Sequence, residues 1–280
     1  MGGTGKGKEL CILYTTCWQF ALRYILNLSA EFRERFEVKY ADINPHVSRD
    51  GSEPLDIEYL KRCRVLIYQL MDWDNSVQRY YRLLPRDCRR IAVFHPTMNA
   101  LWPFHCEDPR NGPERVYPYG DAVILQMIKK GIAKNEIIDT YMTLDVDEMI
   151  GLDALFEKER EMHLEAEKYA DIELRHHFDA RFQSTRLFNT VNHGSNVMYL
   201  CIANQILETL GIEAIDEAVC DSLTELLVPE MPIHPSVIRH FDLRYVTPES
   251  RYQVGGHRSL TLEEYLDHYI DYRIPHPPEN

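Results

Sequence analysis

The run Leu10-Cys-Ile-Leu-Tyr14 is apolar, and it is followed by an amphipathic stretch at 18–36 and by a second run, Phe36-Glu-Val-Lys-Tyr40. Apolar runs of this length are typical of buried strands, and the helical spacing between them is typical of an amphipathic helix. A strand, a helix and a second strand in this order form a βαβ unit, whose two strands are parallel. The opening of the chain therefore predicts an α/β fold.

Two further apolar runs extend the same alternation. Val65-Leu-Ile-Tyr68 and Ile91-Ala-Val-Phe94 each follow a helical pattern, at 55–63 and at 76–84. Four strands with helices between them predict a mostly parallel sheet that helices cover on both faces. The remaining chain is expected to add a short strand at 186–190 and helices at 121–130, 134–142, 152–182, 197–210, 214–227 and 261–270.

The chain shows no obvious division into domains. No repeat or low-complexity linker interrupts it, so we expect a single domain over residues 9–275. Residues 1–8, with their run of glycine and lysine, are expected to form a disordered tail. The stretch 96–119 lacks periodicity but is rich in aromatic residues, which favours an ordered, functional loop.

The overall charge limits the partners that the chain can bind. A formal net charge of −13 and a pI of about 5.4 repel nucleic-acid phosphates and anionic lipid, so we expect neither as a partner. No apolar run is long enough to cross a bilayer, and the first residues lack the apolar core of a secretory signal. A cytoplasmic location without a transmembrane segment is therefore expected.

The cysteines and the acidic residues do not predict a metal site. The seven cysteines contain no C-x-x-C pair, which argues against a disulfide framework and against a zinc ribbon. Asp145, Asp147 and Glu148 lack the glycine and the distal glutamate of a calcium loop, and they are typical of a helix start instead. We expect reduced thiols and no metal.

The residues Thr15-Thr-Cys-Trp-Gln19 lie where the first predicted strand gives way to the first helix. Ligands of open α/β sheets bind at the carboxyl ends of the strands, where a helix N-terminus adds N–H groups and a partial positive charge. That field favours a thiolate, so Cys17 is a candidate nucleophile, and the same N–H groups are candidates to hold an oxyanion. The alternative is that Cys17 is one more small buried residue, as most cysteines are.

A second polar segment, Asn192-His-Gly-Ser-Asn196, lies between the predicted short strand and an apolar helix. Histidine is the commonest general base, and His193 is a candidate to meet a nucleophile at the end of the first strand. Because the chain has twelve histidines, the alternative is a surface or structural residue. Gln69 directly follows a predicted strand and is expected at the same edge of the sheet, and Asp121 is either a substrate contact or a helix N-cap.

Several segments along the chain carry a family resemblance. They are the strand ending at Cys17, Ile67-Tyr-Gln69, Leu84-Pro85, Trp102-Pro103, Pro118-Tyr-Gly-Asp121, Arg186-Leu-Phe-Asn-Thr-Val-Asn-His193, Ile233-His-Pro-Ser-Val237 and Thr261-Leu-Glu-Glu-Tyr-Leu-Asp-His-Tyr269. In order and spacing they resemble the WcbI-type family of capsular-polysaccharide biosynthesis proteins, which are regarded as acetyltransferases that bind coenzyme A. The resemblance covers residues 10–270. The family usually has Gly-Asn-Cys-Gln at the first strand, where this chain has Thr15-Thr-Cys-Trp18.

The resemblance implies a fold, a ligand and a set of site residues. The fold is a helix-rich, three-layer α/β sandwich similar to that of the SGNH hydrolases, with extra C-terminal helices and a cleft for coenzyme A. The catalytic residues would be Cys17 and His193. The residues expected to contact the coenzyme are Thr16, Trp18, Gln69, Tyr119, Asp121 and Asn192.

The leading functional hypothesis is acyl transfer from a coenzyme A thioester to a hydroxyl of a sugar or polysaccharide precursor, so that the partner is a carbohydrate acceptor. One alternative is an esterase or thioesterase that uses the same residues with water as the acceptor. Another is a binding protein of the same fold that has lost turnover, because Thr15, Thr16 and Trp18 replace the usual neighbours of Cys17. The acyl group, the acceptor sugar and the oligomeric state, including a homo-oligomer, stay open.

Overall fold

A computed structural model describes residues 7–43, 56–70, 76–107, 116–117, 119–226, 229–255 and 258–273. Its strands are β1 Glu9–Thr15, β2 Phe36–Asp42, β3 Cys63–Leu70, β4 Arg89–Phe94, β5 His105–Glu107, β6 Tyr119–Asp121, β7 Phe188–Thr190, β8 His193–Gly194, β9 Tyr252–Val254 and β10 Arg258–Leu260. Its α-helices are α1 Gln19–Leu26, α2 Ala30–Arg35, α3 Ile57–Arg62, α4 Ser76–Tyr80, α5 Ala122–Lys129, α6 Lys134–Thr143, α7 Val146–Ile150, α8 Leu152–Glu167, α9 Arg175–Arg181, α10 Asn196–Thr209, α11 Val219–Ser222, α12 Pro235–Phe241 and α13 Leu262–Arg273.

The chain divides into two compact units, each assembled from three separate segments. The first unit is formed by residues 1–96, 163–177 and 196–226, and the second by residues 97–162, 178–195 and 227–280. The single domain expected over residues 9–275 stays a prediction, and residues 274–275 lie outside the described part of the chain. Most of the predicted tail, residues 1–6, also lies outside it.

The first unit contains a four-stranded parallel sheet in the order β2-β1-β3-β4. All four strands were predicted from their apolar runs, and the predicted α/β fold with a mostly parallel sheet is confirmed. The strand order reverses at β1, because β2 lies on one side of it and β3 on the other. Such a reversal is the topological switch point at which open α/β sheets bind ligands, outside the carboxyl ends of the strands.

Helices bury both faces of this sheet. Leu10, Ile12 and Tyr14 of β1 belong to a buried apolar cluster to which α3 contributes Leu60 and α4 contributes Val77. Alternate residues of a strand point to opposite faces, and the intervening residues of β1 are fully buried as well. Helix α1 packs against β1, β2 and α10. Burial on both sides explains why β1 is apolar at almost every position rather than at every second one.

The second unit contains short antiparallel pairs and helices. Strand β5 pairs with β6, β7 with β8, and β9 with β10. The stretch 96–119, predicted as an ordered loop, has a 3₁₀ turn at Asn99–Leu101 and the strand β5 within its described residues. Residues 108–115 and 118 of that stretch lie outside the description.

Two predicted helices are each divided in two. The helix expected at 18–36 is α1 followed by α2, because the Ser29 hydroxyl accepts a hydrogen bond from the amide of Phe32 and begins a new helix. The helix expected at 152–182 is α8 followed by α9, because the Glu167 carboxylate accepts hydrogen bonds from the amides of Leu174 and Arg175. These contacts hold residues 168–174 out of the helical path.

Other helix predictions differ at single elements. Only the four residues of α11 are α-helical within the described part of 214–227. Helix α12 was not predicted, and it begins where His234 Nδ1 accepts a hydrogen bond from the amide of Ser236 at 3.0 Å. The helix predicted at 197–210 is α10, which ends at Thr209, and Gly211 follows it in the left-handed region with a φ of 73°.

Candidate functional site

Cys17 lies at the switch point of the parallel sheet. Strand β1 ends at Thr15, and α1 begins at Gln19, so Cys17 lies in the turn that joins the carboxyl end of β1 to the helix N-terminus. The turn closes through a hydrogen bond of 3.0 Å from the Gln19 amide to the Thr16 carbonyl. Cys17 is half-buried, so the residue is not part of the fully buried core. Its position therefore meets the requirement for a nucleophile at the end of a strand.

Gln69 organises this turn from the neighbouring strand β3. Its side-chain oxygen accepts hydrogen bonds from the amide and the hydroxyl of Thr16, each at 2.9 Å, and from the indole N–H of Trp18 at 2.5 Å. The Gln69 side chain is buried, with 2% of the residue exposed. A buried acceptor with three donors holds the residues on both sides of Cys17 in one conformation.

Trp18 is part of the core of the first unit. It is 1% exposed, and its ring stacks on that of Tyr199 in α10, with centroids 6.0 Å apart and planes 14° apart. This stacking and the hydrogen bond to Gln69 fix the Trp18 side chain in the core beside the turn. Thr16, Trp18 and Gln69 were predicted as coenzyme contacts, and the hydrogen bonds to Gln69 connect them to one another around Cys17.

The second unit brings together another group of predicted residues. The Tyr119 hydroxyl donates a hydrogen bond of 2.6 Å to the side-chain oxygen of Asn192, which also accepts one from the Thr190 hydroxyl at 3.2 Å. The ring of His193 lies edge-on to that of Tyr119, with centroids 6.3 Å apart. Tyr119, Asn192 and His193 are thus neighbours, although more than seventy residues separate the first from the others in sequence.

Burial determines the protonation state of His193. Removal from water lowers the pKa of its imidazole to about 4, so the ring is neutral at pH 7. A neutral imidazole can accept a proton, but general bases work best when their pKa lies near the operating pH. In the described conformation, His193 is therefore a weak base.

Asp121 begins helix α5. One of its carboxylate oxygens accepts hydrogen bonds of 3.0 Å from the amides of Val123 and Ile124. Asp121 is therefore the N-cap of α5, which is one of the two roles that the sequence suggested for it. The other oxygen accepts a hydrogen bond from the Tyr141 hydroxyl at 2.7 Å. Burial raises the pKa of Asp121 to about 6, although the hydrogen bonds from Ile124, Tyr141 and Val123 oppose the shift.

A small cavity in the second unit lies against Asp121 and Tyr119. Its wall also includes Trp102, His105 and His234. It offers about 40 Å³ of space to water-sized groups. Because about 10–15 Å³ of such space holds one water molecule, the cavity suits a few waters and not a nucleotide cofactor.

Replacement of Asp121 by asparagine is expected to remove a pH dependence of stability. Burial lets the folded chain keep this proton up to about pH 6, whereas the unfolded chain releases it near the usual value of 3.8. The free energy of unfolding therefore falls as the pH rises through this window, by an amount on the order of 3 kcal/mol. Asparagine keeps the cap and does not titrate. Urea unfolding of both proteins from pH 4 to pH 7 should show the native protein losing stability relative to Asp121→Asn, and parallel curves would contradict the assignment.

The predicted site residues fall into two groups. Thr16, Cys17, Trp18 and Gln69 belong to the first unit, and a second group belongs to the second unit. The members of that second group are Tyr119, Asp121, Asn192 and His193. The predicted pairing of Cys17 with His193 stays a prediction.

Comparison with known proteins identifies the family. The family model described as polysaccharide biosynthesis enzyme WcbI matches residues 10–214. The chain belongs to the WcbI family. A solved structure is described as WcbI, a novel polysaccharide biosynthesis enzyme, in its native form without a disulfide bond between coenzyme A and one of its cysteines. It is 18% identical in sequence, and the alignment covers 97% of this chain and 91% of that chain with a TM-score of 0.68. No curated protein sequence matches the chain.

Membership of the WcbI family confirms the resemblance seen in the sequence, and the solved WcbI structure confirms the α/β fold. This member of the WcbI family has, among its described residues, no helix that combines the length and the apolar character needed to span a bilayer. The cytoplasmic location stays a prediction. Over the same part of the chain, no three histidine, cysteine or acidic side chains are grouped so that they could bind a metal ion.

Two histidines of this WcbI family member were not predicted as site residues. His105 in β5 and His234 at the start of α12 line the cavity with Asp121. His234 Nδ1 accepts from the Ser236 amide, so its proton is on Nε2, which donates to the Tyr141 carbonyl at 2.7 Å. Burial lowers the pKa of His234 and that of His105. The segment Ile233-His-Pro-Ser-Val237 is one of those that carried the family resemblance, so the sequence did contain an indication that His234 could belong to a site.

Proposed function

We propose that this member of the WcbI family transfers an acyl group from a coenzyme A thioester to a sugar hydroxyl, at a site that includes Cys17. The observation that carries the proposal is the position of Cys17, a half-buried residue at the switch point of the sheet and at the N-terminus of α1. The family works in polysaccharide biosynthesis, which supports a carbohydrate acceptor. Acetyl is the acyl group that we expect, and a capsular polysaccharide precursor is the acceptor.

Coenzyme A is supported as the donor by the related structure. That protein is described in terms of a disulfide bond between coenzyme A and one of its cysteines, so a coenzyme thiol can lie against a cysteine in this fold. In this chain Cys17 is the candidate for the same place. Two cations, Arg23 in α1 and Arg79 in α4, lie on helices that follow the carboxyl ends of β1 and β3, and they are candidates to bind the coenzyme's phosphates.

The transfer forms an ester bond between the sugar oxygen and the acyl carbon, and it breaks the bond between that carbon and the coenzyme's sulfur. The coenzyme leaves as a thiolate and takes up the proton that the sugar hydroxyl gives up. Either the hydroxyl attacks the thioester directly, or the Cys17 thiolate attacks first and carries the acyl group as a thioester. The backbone N–H groups of Cys17 and Trp18 would stabilise the oxyanion, at about 3 kcal/mol per donor. His193 as the base that accepts the proton stays a prediction.

A thermal-shift titration with coenzyme A and acetyl-coenzyme A tests the donor. A ligand that binds only the folded state at a hundred times its Kd adds about 2.7 kcal/mol of stability. For a chain of this size we therefore expect the Tm to rise by roughly 5–10 °C, since about 2–4 °C corresponds to each kcal/mol. Cys17→Ala should alter the titration, whereas Cys220→Ala, which removes another half-buried cysteine, should not. No shift of the native protein at millimolar ligand would refute the coenzyme A assignment.

A second candidate function is binding of the same ligands without turnover. Three observations favour it: Trp18 packs in the core, the Gln69 oxygen already has three donors, and burial lowers the pKa of His193 to about 4. As a result, the Trp18 and Gln69 side chains are already engaged in packing and hydrogen bonds, and His193 is a weak base, so few side chains remain for catalysis. Release of free coenzyme A from acetyl-coenzyme A in the presence of sugar acceptors separates the two functions, because a binding protein would give a thermal shift and no release.

A further inference from the structure

Three large aromatic side chains are exposed on the first unit. Phe20 is 53% exposed, Tyr24 is 46% exposed and Tyr40 is 47% exposed. Phe20 and Tyr24 are four residues apart on α1, so they lie on the same side of the helix. Tyr40 lies on β2. We call these three residues the aromatic face.

Contacts within the aromatic face give it a defined arrangement. The rings of Phe20 and Tyr40 are 5.9 Å apart and inclined at 60°, which is an edge-on contact. The guanidinium of Arg23 lies 5.0 Å from the centre of the Tyr40 ring, as in a cation–π pair. Helix α1 and strand β2 are thereby connected on their exposed sides, and the rings need little reordering before they bind a ligand.

The aromatic face begins one helical turn from the candidate nucleophile. The amide of Phe20 donates a hydrogen bond of 3.5 Å to the carbonyl of Cys17. Tyr40 precedes the last residue of β2 by two positions, and β2 lies beside β1 in the sheet. Because the strands are parallel, Tyr40 and Cys17 lie towards the same, carboxyl edge.

We infer that the aromatic face is the subsite that binds the sugar acceptor. A pyranose ring has an apolar C–H surface, which packs on aromatic rings, and a rim of hydroxyls, which need hydrogen-bonding partners. Phe20 offers only an apolar surface, whereas Tyr24 and Tyr40 add hydroxyls that can form hydrogen bonds with the rim of the sugar. The family's role in polysaccharide biosynthesis supplies the ligand class. The inference rests on the proposed function for the acceptor's role and extends it to specific residues.

The size of the aromatic face favours a sugar over a protein partner. Aromatic side chains bury about 150–250 Å² each, so three half-exposed rings offer roughly 300 Å² of surface. A stable protein interface buries about 800 Å² on each partner. An area of this size is sufficient to bind one or two sugar rings, but it is smaller than the area that a stable dimer of this chain would bury on each subunit.

Binding to an array of oligosaccharides of varied composition tests the inference. The fluorescently labelled native protein is expected to bind a subset of glycans. The double variant Phe20→Ala/Tyr24→Ala should lose at least tenfold in affinity for that subset, as measured by calorimetry with the best glycan. Phe20→Tyr and Tyr24→Phe keep the rings and should bind within about threefold of the native protein, since aromatic packing survives. Tyr169→Ala removes another exposed ring of the first unit, 70% exposed, and should change nothing.

The outcomes distinguish this inference from the proposed function. The thermal shift with coenzyme A reports the donor, and the double variant should keep it at the native size. If the double variant loses glycan binding but keeps the thermal shift with coenzyme A, the aromatic face is supported as the sugar subsite. If the native protein binds glycan through the aromatic face but shows no thermal shift with coenzyme A, the subsite is supported and coenzyme A is refuted as the donor. Native protein that binds no glycan, or a double variant that binds as well as the native protein, overturns it. So does a native dimer, seen by sedimentation, that the double variant dissociates without any change in glycan binding.

Discussion

Replacement of Cys17 by alanine is expected to reduce acyl transfer from acetyl-coenzyme A to a sugar acceptor by about a thousandfold or more, as removal of a covalent nucleophile does. Cys17 lies at the N-terminus of α1, where the helix field favours the thiolate that attacks a thioester. Release of free coenzyme A in the presence of the acceptor measures the rate. Mass spectrometry of the native protein mixed with acetyl-coenzyme A alone should show one acetyl group on the Cys17 thiol.

The matched control for this prediction is Cys220→Ala. Cys220 is also a half-buried cysteine of the first unit, but burial raises the pKa of its thiol to about 11, so it stays protonated at pH 7. That variant should turn over at the native rate. If Cys17→Ala keeps more than about a tenth of the native rate, Cys17 is not the nucleophile and the hydroxyl attacks the thioester directly.

Replacement of Gln69 by leucine is expected to lower the free energy of unfolding by about 3 kcal/mol or more. The substitution removes the acceptor of three hydrogen bonds, one from the buried Trp18 indole and two from the partly buried Thr16. A buried donor left unsatisfied costs about 1–3 kcal/mol, and the two partly buried donors add to that cost. Urea unfolding at pH 7 measures the change. Since the same oxygen holds Thr16 and Trp18 on both sides of Cys17, turnover should fall with stability.

Two further variants test whether the loss of stability comes from the Gln69 hydrogen bonds and not from the substitution of glutamine by leucine in general. Gln126→Leu places the same substitution at an exposed position of α5 and should change stability by less than about 0.5 kcal/mol. Trp18→Phe removes one of the three donors. Its cost should therefore be smaller in the Gln69→Leu background than in the native protein, and simple additivity of the two costs would show that the indole hydrogen bond contributes nothing.

The predicted strands were confirmed because their signal is local. Residues 10–14 and 65–68 are continuous apolar runs, and burial on both faces of a parallel sheet requires that composition. Helix ends were less predictable. The helix predicted at 152–182 is divided because the Glu167 carboxylate accepts hydrogen bonds from amides seven and eight residues further along the chain. The periodicity of apolar residues does not predict a contact of this kind.

The candidate site was predictable in part. Cys17 could be placed at the edge of the sheet because the change from strand to helix is visible in the residues around it. Asp121 could be read as a helix cap for the same reason. The sequence did not single out His234 as a cavity residue, and the aromatic face of Phe20, Tyr24 and Tyr40 forms only when α1 packs beside β2.

The sequence by itself determined the parallel sheet, the membership of the WcbI family and the place of Cys17 at a strand end, because each can be inferred from short segments and from their order along the chain. Only the tertiary structure decided that one oxygen of Gln69 holds both neighbours of Cys17. It also decided that the pKa of Asp121 rises and that of His193 falls. The physical reason is that hydrogen-bond partners and exclusion of water come from segments far apart in sequence, which meet only when the chain has packed.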